Sequence, residues 1–131
     1  MILCRSTEAL LEDVKRKVSG FCHVPSNHVI SVYDVQNIYH VPLMLVQQGV
    51  HEIFIRELHL EANAVSEEKI HRMHNPDLLE WSTMAHAVDQ YEKQIKIALI
   101  GKYTGLQDSY LSVIKSLKVC SLSHSSYTVI I

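Results

Sequence analysis

A chain of 131 residues that is 47% hydrophobic and 20% charged has the makeup of an ordinary globular domain and excludes a disordered, low-complexity protein. A formal charge of -2 and a pI near 6.5 provide no overall field to draw nucleic acid or an anionic membrane. The longest apolar runs fall short of the ~20 residues needed to cross a bilayer, and Met1-Ile2-Leu3-Cys4, cut off at once by Arg5, lacks the long apolar core of a signal peptide.

Met1 to Cys4 reads as a short strand, followed by a helix in which Leu10, Leu11, Val14, Val18 and Phe21 recur at helical spacing behind a Ser6/Thr7 capping position. Val24-Pro25-Ser26-Asn27 makes a turn, and Val29 to Val35, rich in β-branched and aromatic residues, predicts a second strand. Asn37 caps a turn ahead of Pro42, whose fixed φ suits a first helical turn, and Gly49 suits the position just past a helix end, so Pro42 to Gln48 should be helical. Another short helix is expected from His51 to Leu58.

From Glu61 to Pro76 the chain turns polar and reads as a mobile linker, which ends the first domain near Leu60. Asn75-Pro76-Asp77 is a helix-start signal, and Leu78, Trp81, Met84, Val88 and Tyr91 form one stripe that should lie against a protein surface. Ile95 to Ile100 predicts a strand, Asp108 a cap for a helix carrying Leu111, Ile114 and Leu117, and Tyr127 to Ile131 a further strand. The resulting organisation is residues 1–60, a linker over 61–94 with a helix from about 77, and residues 95–131. Strand-helix-strand units on both sides of a linker give the α/β class with parallel sheets, which need helices on both faces. Two strands per half leave apolar faces uncovered, so two partial units are expected. Cys4, Cys22 and Cys120 have no close-pair spacing and lie in apolar segments, which reads as buried reduced thiols in the cytosol.

Several residues stand out chemically. Lys17 is set at the edge of the first helix's apolar stripe, while Lys15 and Arg16 point elsewhere; a lysine whose stem covers apolar surface is the ordinary account. Tyr33-Asp34-Val35 closes the second strand, where open α/β sheets collect ligands, although Asp34 could simply cap the following turn. Arg5 also ends a strand, where a guanidinium can stack on a base, approach phosphate, or stand as a surface cation. Gly101-Lys102 lacks the earlier glycine and the following Ser or Thr of a phosphate loop. His71 and His74 are three apart, but no Cys or carboxylate set completes a metal site, and a solvated linker is the better reading. Cys22-His23 adjacency alone makes no hydrolase dyad.

Two distant groups of segments carry a further signal. The first holds Phe21-Cys22-His23-Val24-Pro25, Val29-Ile30-Ser31-Val32-Tyr33-Asp34-Val35, Ile38-Tyr39-His40-Val41-Pro42-Leu43-Met44-Leu45 and Gln48-Gly49-Val50. The second holds Ile97-Ala98-Leu99-Ile100-Gly101-Lys102-Tyr103, Leu106-Gln107-Asp108-Ser109-Tyr110 and Ser112-Val113-Ile114-Lys115-Ser116-Leu117. Together they resemble the CTP synthases. The resemblance implies that 1–60 is the end of a Rossmann-like, P-loop-type amidoligase domain, and that 95–131 opens a flavodoxin-like class I glutamine amidotransferase domain. It implies UTP and CTP contact by Lys17, in the register Lys17-Val18-Ser19-Gly20-Phe21-Cys22, and ATP contact by Tyr33, Asp34 and Val35, to which Arg5 is added from its place at a strand end. Backbone groups of Asp34 and Val35 would read the adenine edge, while Tyr33 occupies a variable place in its triplet.

By the same resemblance the parent enzyme is a cytoplasmic homotetramer that uses ATP, UTP, glutamine and magnesium. The magnesium ligands and the Cys, His and Glu of the amidotransferase fall outside these residues, so no catalytic residue and no metal ligand is assigned here and the chain alone should be inactive. A nonenzymatic nucleotide-binding or regulatory module is the alternative. A small flavodoxin-like signalling domain is disfavoured, because the linker splits the strand-helix units into two groups.

Overall fold

β1 (Ile2–Arg5) and β2 (Val29–Val32) pair in parallel, with Ile2 opposite Val29 and Arg5 opposite Val32. Parallel neighbours need a long crossover, which α1 (Glu12–Cys22) supplies. The computed structural model describes residues 1–64, 66–103, 105–122, 124 and 126–131 and divides into two compact units, Met1–Ser82 and Thr83–Ile131.

In the first unit β2 is the central element. Val29 and Ile30 are each 1% exposed and Ser31 is buried beside them, so both faces of the strand are covered, as a parallel strand requires. Ile30 packs with Val50 and Ile53, with Val32 and Leu45 against them, and this cluster is the core. α2 (His40–Gln47) starts where the Asn37 side-chain oxygen accepts the Tyr39 N–H at 2.8 Å, and it carries Pro42 in its first turn. Gly49 follows at φ 70°, a left-handed turn that costs glycine little, and α3 (Val50–Glu57) runs on from it.

Four expectations for this unit change. The strand ends at Val32, so Tyr33, Asp34 and Val35 lie just beyond it. Ser6 and Thr7 do not cap α1: its N-terminal flank is Leu11 without a side-chain cap, and the Ser6 hydroxyl instead donates to the Glu8 carbonyl at 2.6 Å. No residue of α1 is buried and Phe21 is 88% exposed, because the helix covers β2 without a second layer on its outer side. The stretch from Glu61 to Pro76, expected to be a mobile linker, continues a 3-10 turn (Leu60–Asn63) and holds α4 (Glu67–His74), whose start is capped by Ser66 accepting the Lys69 N–H at 3.3 Å.

The Asp77 carboxylate accepts the Leu79 N–H at 3.0 Å and opens α5 (Leu79–Val88), as the Asn75-Pro76-Asp77 signal implies; the division between the units falls inside this helix. In the second unit β3 (Gln94–Ile97) and β4 (Tyr127–Ile130) again pair in parallel, Gln94 opposite Tyr127 and Ile97 opposite Ile130. α6 (Leu111–Leu122) is their crossover. β3 stops three residues earlier than expected, and Asp108 lies within a 3-10 turn (Gln107–Tyr110) ahead of α6 rather than at its cap. Ile114 and Leu117 are half-buried, whereas Leu111 is exposed.

Each unit is therefore a parallel strand pair with a helical crossover, the α/β class read from the sequence. Among the described residues no disulfide forms; Cys22 and Cys120 are exposed rather than buried, and Cys4 is half-buried. Among the described residues no helix is long and apolar enough to cross a membrane.

Candidate nucleotide site at the strand ends

Parallel pairing carries the ends of β1 and β2 to one edge of the sheet, and with them Arg5 and Asp34. The Arg5 guanidinium donates to the Asp34 carboxylate and also to the Ser6 carbonyl. The main chain reinforces this edge beyond the strands: the Ser6 N–H donates to the Val32 carbonyl at 3.1 Å and the Asp34 N–H to the Thr7 carbonyl at 3.3 Å. The Arg5 and Asp34 side chains are 63% and 57% exposed, and an ion pair so open to water contributes about 0–1 kcal/mol. A ligand carrying phosphate or a planar base can therefore take Arg5 from Asp34 at little cost.

The peptide groups of this edge are unequal. Thr7 already holds the Asp34 N–H, but no described residue receives the Val35 N–H or donates to the Asp34 carbonyl. These two groups belong to one trans peptide and point to opposite sides, so the edge of a single ligand can meet one of them but not both. Tyr33 and Val35 are half-buried and flank these groups.

Lys17 stands apart from this edge. It is exposed, five residues after Glu12 and thus about 8 Å further along the helix axis, and no hydrogen bond or ion pair joins it to the Arg5–Asp34 pair. Its two neighbours are engaged: Lys15, the half-buried cation of the three, pairs with Glu12 at 3.2 Å, and Arg16 pairs with Asp13. Lys15, not Lys17, is thus the lysine whose stem covers the protein surface, and Lys17 has no carboxylate partner among the described residues.

The Gly101-Lys102-Tyr103 loop closes on itself. The Lys102 ammonium stands over the Tyr103 ring, 5.1 Å from its centroid, and the Tyr110 hydroxyl donates to the Lys102 carbonyl. A Cβ at Gly101 would fall on that same hydroxyl, so glycine is needed for the tyrosine to dock.

A second polar cluster was not anticipated. His74 on α4 contacts Glu52 on α3 through Nδ1 at 2.8 Å and Glu61 in the Leu60–Asn63 turn through Nε2 at 2.5 Å, on a cleft of 470 Å³. The two carboxylates, Glu61 foremost, raise the His74 pKa above its ordinary 6.5. His71, its expected companion, is exposed. Spacing three apart was the signal that could be read; the carboxylates come from 22 and 13 residues away and could not be. The magnesium that the resemblance implies finds no cradle here: Asp34 is held by Arg5, and no group of three or more His, Cys, Asp or Glu side chains among the described residues could hold an ion.

Comparison with known proteins bears on this geometry. Residues 1–60 match the family model described as CTP synthase N-terminus. The CTP synthase of Candida glabrata is 43% identical over 122 residues, which are 93% of this chain and 21% of that protein. The human CTP synthase 1 is 42% identical over 123 residues, 94% of this chain and 20% of that protein. The Mycoplasma capricolum CTP synthase is 40% identical over 119 residues, 91% and 20% respectively. The chain thus spans about a fifth of the length of the curated relatives it matches, and similarity at this level across nine-tenths of it includes both groups of segments quoted above. With residues 1–60 matching that family model and relatives of one description from yeast, bacterium and human, the chain belongs to the CTP synthase family.

Proposed function

We propose that this chain supplies nucleotide-binding surfaces to an enzyme that aminates UTP to CTP with ATP and glutamine-derived ammonia. In that reaction ATP phosphorylates the 4-oxo oxygen of UTP, glutamine is hydrolysed in a second domain, and ammonia displaces the phosphate. Residues 1–60 then belong to a Rossmann-like amidoligase domain, 61–94 to the connection, and 95–131 to the start of a flavodoxin-like amidotransferase domain. The enzyme is a cytoplasmic homotetramer, and its magnesium travels with ATP on ligands outside these residues.

The observation that supports this reading best is the meeting of Arg5 with the 33–35 segment beyond the ends of two parallel strands. Backbone groups of Asp34 and Val35 read the adenine edge, and Arg5 leaves Asp34 for the base or a phosphate. Lys17, free of carboxylates, serves the UTP and CTP site as a point charge for phosphate oxygens. These residues bind and orient, which is most of what phosphoryl transfer asks of a protein.

The test uses a chimera in which residues 1–131 replace the matching stretch of the Candida glabrata relative. Arg5→Ala should raise the ATP concentration for half-maximal CTP formation by about ten- to a hundredfold, as loss of one charge-assisted hydrogen bond of about 1.5–3 kcal/mol implies, with glutamine hydrolysis retained. An unaltered ATP requirement refutes the assignment. A second reading, a nonenzymatic nucleotide-binding or regulatory module, is supported by the presence of Lys17 and the strand-end groups within these 131 residues. Saturable UTP binding by the chain alone, without product, supports the module; no binding by the chain alone and activity in the chimera support the enzyme segment.

A further inference from the structure

A histidine placed between two carboxylates can donate to both only as an imidazolium, because the neutral ring has one N–H and one lone pair. His74, the last residue of α4, is so placed, with Nδ1 2.8 Å from Glu52 on α3 and Nε2 2.5 Å from Glu61 in the preceding turn. We propose that His74 is a proton-operated clamp that fixes α4 and the Leu60–Asn63 turn to α3 when charged and releases one of these two contacts when it loses a proton.

Three features make the contact a control point. α4 has eight residues, too few to persist without tertiary support, so its docking and its order are coupled. Within Glu67–His74 the apolar side chains are Ile70 and Met73, both half-buried, so apolar packing alone is thin. On deprotonation one ring lone pair faces a carboxylate oxygen, turning attraction into repulsion at the same distance.

The surrounding charges favour the imidazolium on balance. Glu52 and Glu61 touch the ring, whereas Arg56, which lines the same cleft, is the opposing cation. Arg56 is engaged elsewhere, with His28 Nε2 at 2.6 Å and Glu57 at 3.5 Å. His51 on α3 competes for Glu52 at the longer distance of 3.6 Å, and its own Nδ1 is buried without a partner among the described residues. On α4 itself Glu68 and Arg72 neutralise each other at 2.6 Å, and Glu67, Lys69 and His71 are exposed.

The direction follows from linkage. The carboxylates hold the folded-state His74 pKa above 6.5, so the clamp's contribution is complete below 6.5 and is lost as pH rises through the folded-state value.

The experiment follows the His74 ring nitrogens by NMR across pH in the full chain, together with amide exchange of residues 71–75 corrected for base catalysis. The wild-type midpoint should lie above 6.5, and protection of these amides should fall with that same midpoint. Glu61→Gln should move the midpoint down towards 6.5, and His74→Gln should remove the pH dependence of protection. Should His74→Gln lose its fold, Glu61→Gln, which alters one exposed carboxylate, decides alone. A His74 midpoint that ignores both Glu61→Gln and Glu52→Gln, or protection of 71–75 that does not follow the His74 titration, overturns the clamp.

Discussion

The Gln48 side chain acts as a short piece of a neighbouring strand. Its carbonyl accepts the Ser31 N–H at 2.9 Å and its amide donates to the Ser31 carbonyl at 2.9 Å, closing the side of β2 that β1 does not cover. Ser31 is buried, so losing both bonds strands a donor and an acceptor away from water. Gln48→Leu should destabilise the fold by about 2–6 kcal/mol, at 1–3 kcal/mol per orphaned group; a chemical-denaturation midpoint unchanged from wild type would refute the role. Gln48 was visible in the sequence as part of a family segment, but its task was not. An acceptor and donor 17 residues away become its partners only once α2 has turned back over β2. The same limit explains Arg5 and Asp34: each could be recognised as a strand-end residue, and the meeting of the two needed the parallel register. Lys17 shows the converse, for its own freedom depends on local pairs, Lys15 with Glu12 and Arg16 with Asp13, that sequence spacing alone left undecided.

Elements with a local signature were legible, and those held by distant groups were not. Asn37, Pro42 and Gly49 each act within one turn of their own position, so α2 and the start of α3 could be read nearly to the residue. α4 was hidden because its polar sequence offers no stripe, and it docks partly through a histidine on two carboxylates. The end of α1 offers a direct check on local reasoning. His23 follows the helix at φ 54°, its N–H donating to the Ser19 carbonyl, in a left-handed position where side chains other than glycine are strained. His23→Gly should therefore stabilise the first unit by about 1 kcal/mol, less any loss from glycine's greater freedom in the unfolded chain. A fall in the urea midpoint would show that the His23 side chain holds something that its backbone angle does not reveal.

At the scale of the molecule, the strand-helix-strand pattern correctly specified the two parallel pairs, because β-branched runs separated by helical stripes can close in few other ways. It was less successful on burial. Phe21, Leu3, Leu11 and Ile100, apolar residues that composition would send inside, lie exposed beside sheets of two strands each. Such sheets leave more apolar surface than a few helices can cover. That surface and the family membership together support the account in which the nucleotide-binding residues of this chain work within a larger enzyme. The most direct test is UTP saturation of CTP formation by the chimera described above, with and without Lys17→Ala. The account predicts a clearly higher half-saturating UTP concentration for the variant with glutamine hydrolysis nearly intact, whereas identical UTP curves for the two proteins would contradict it.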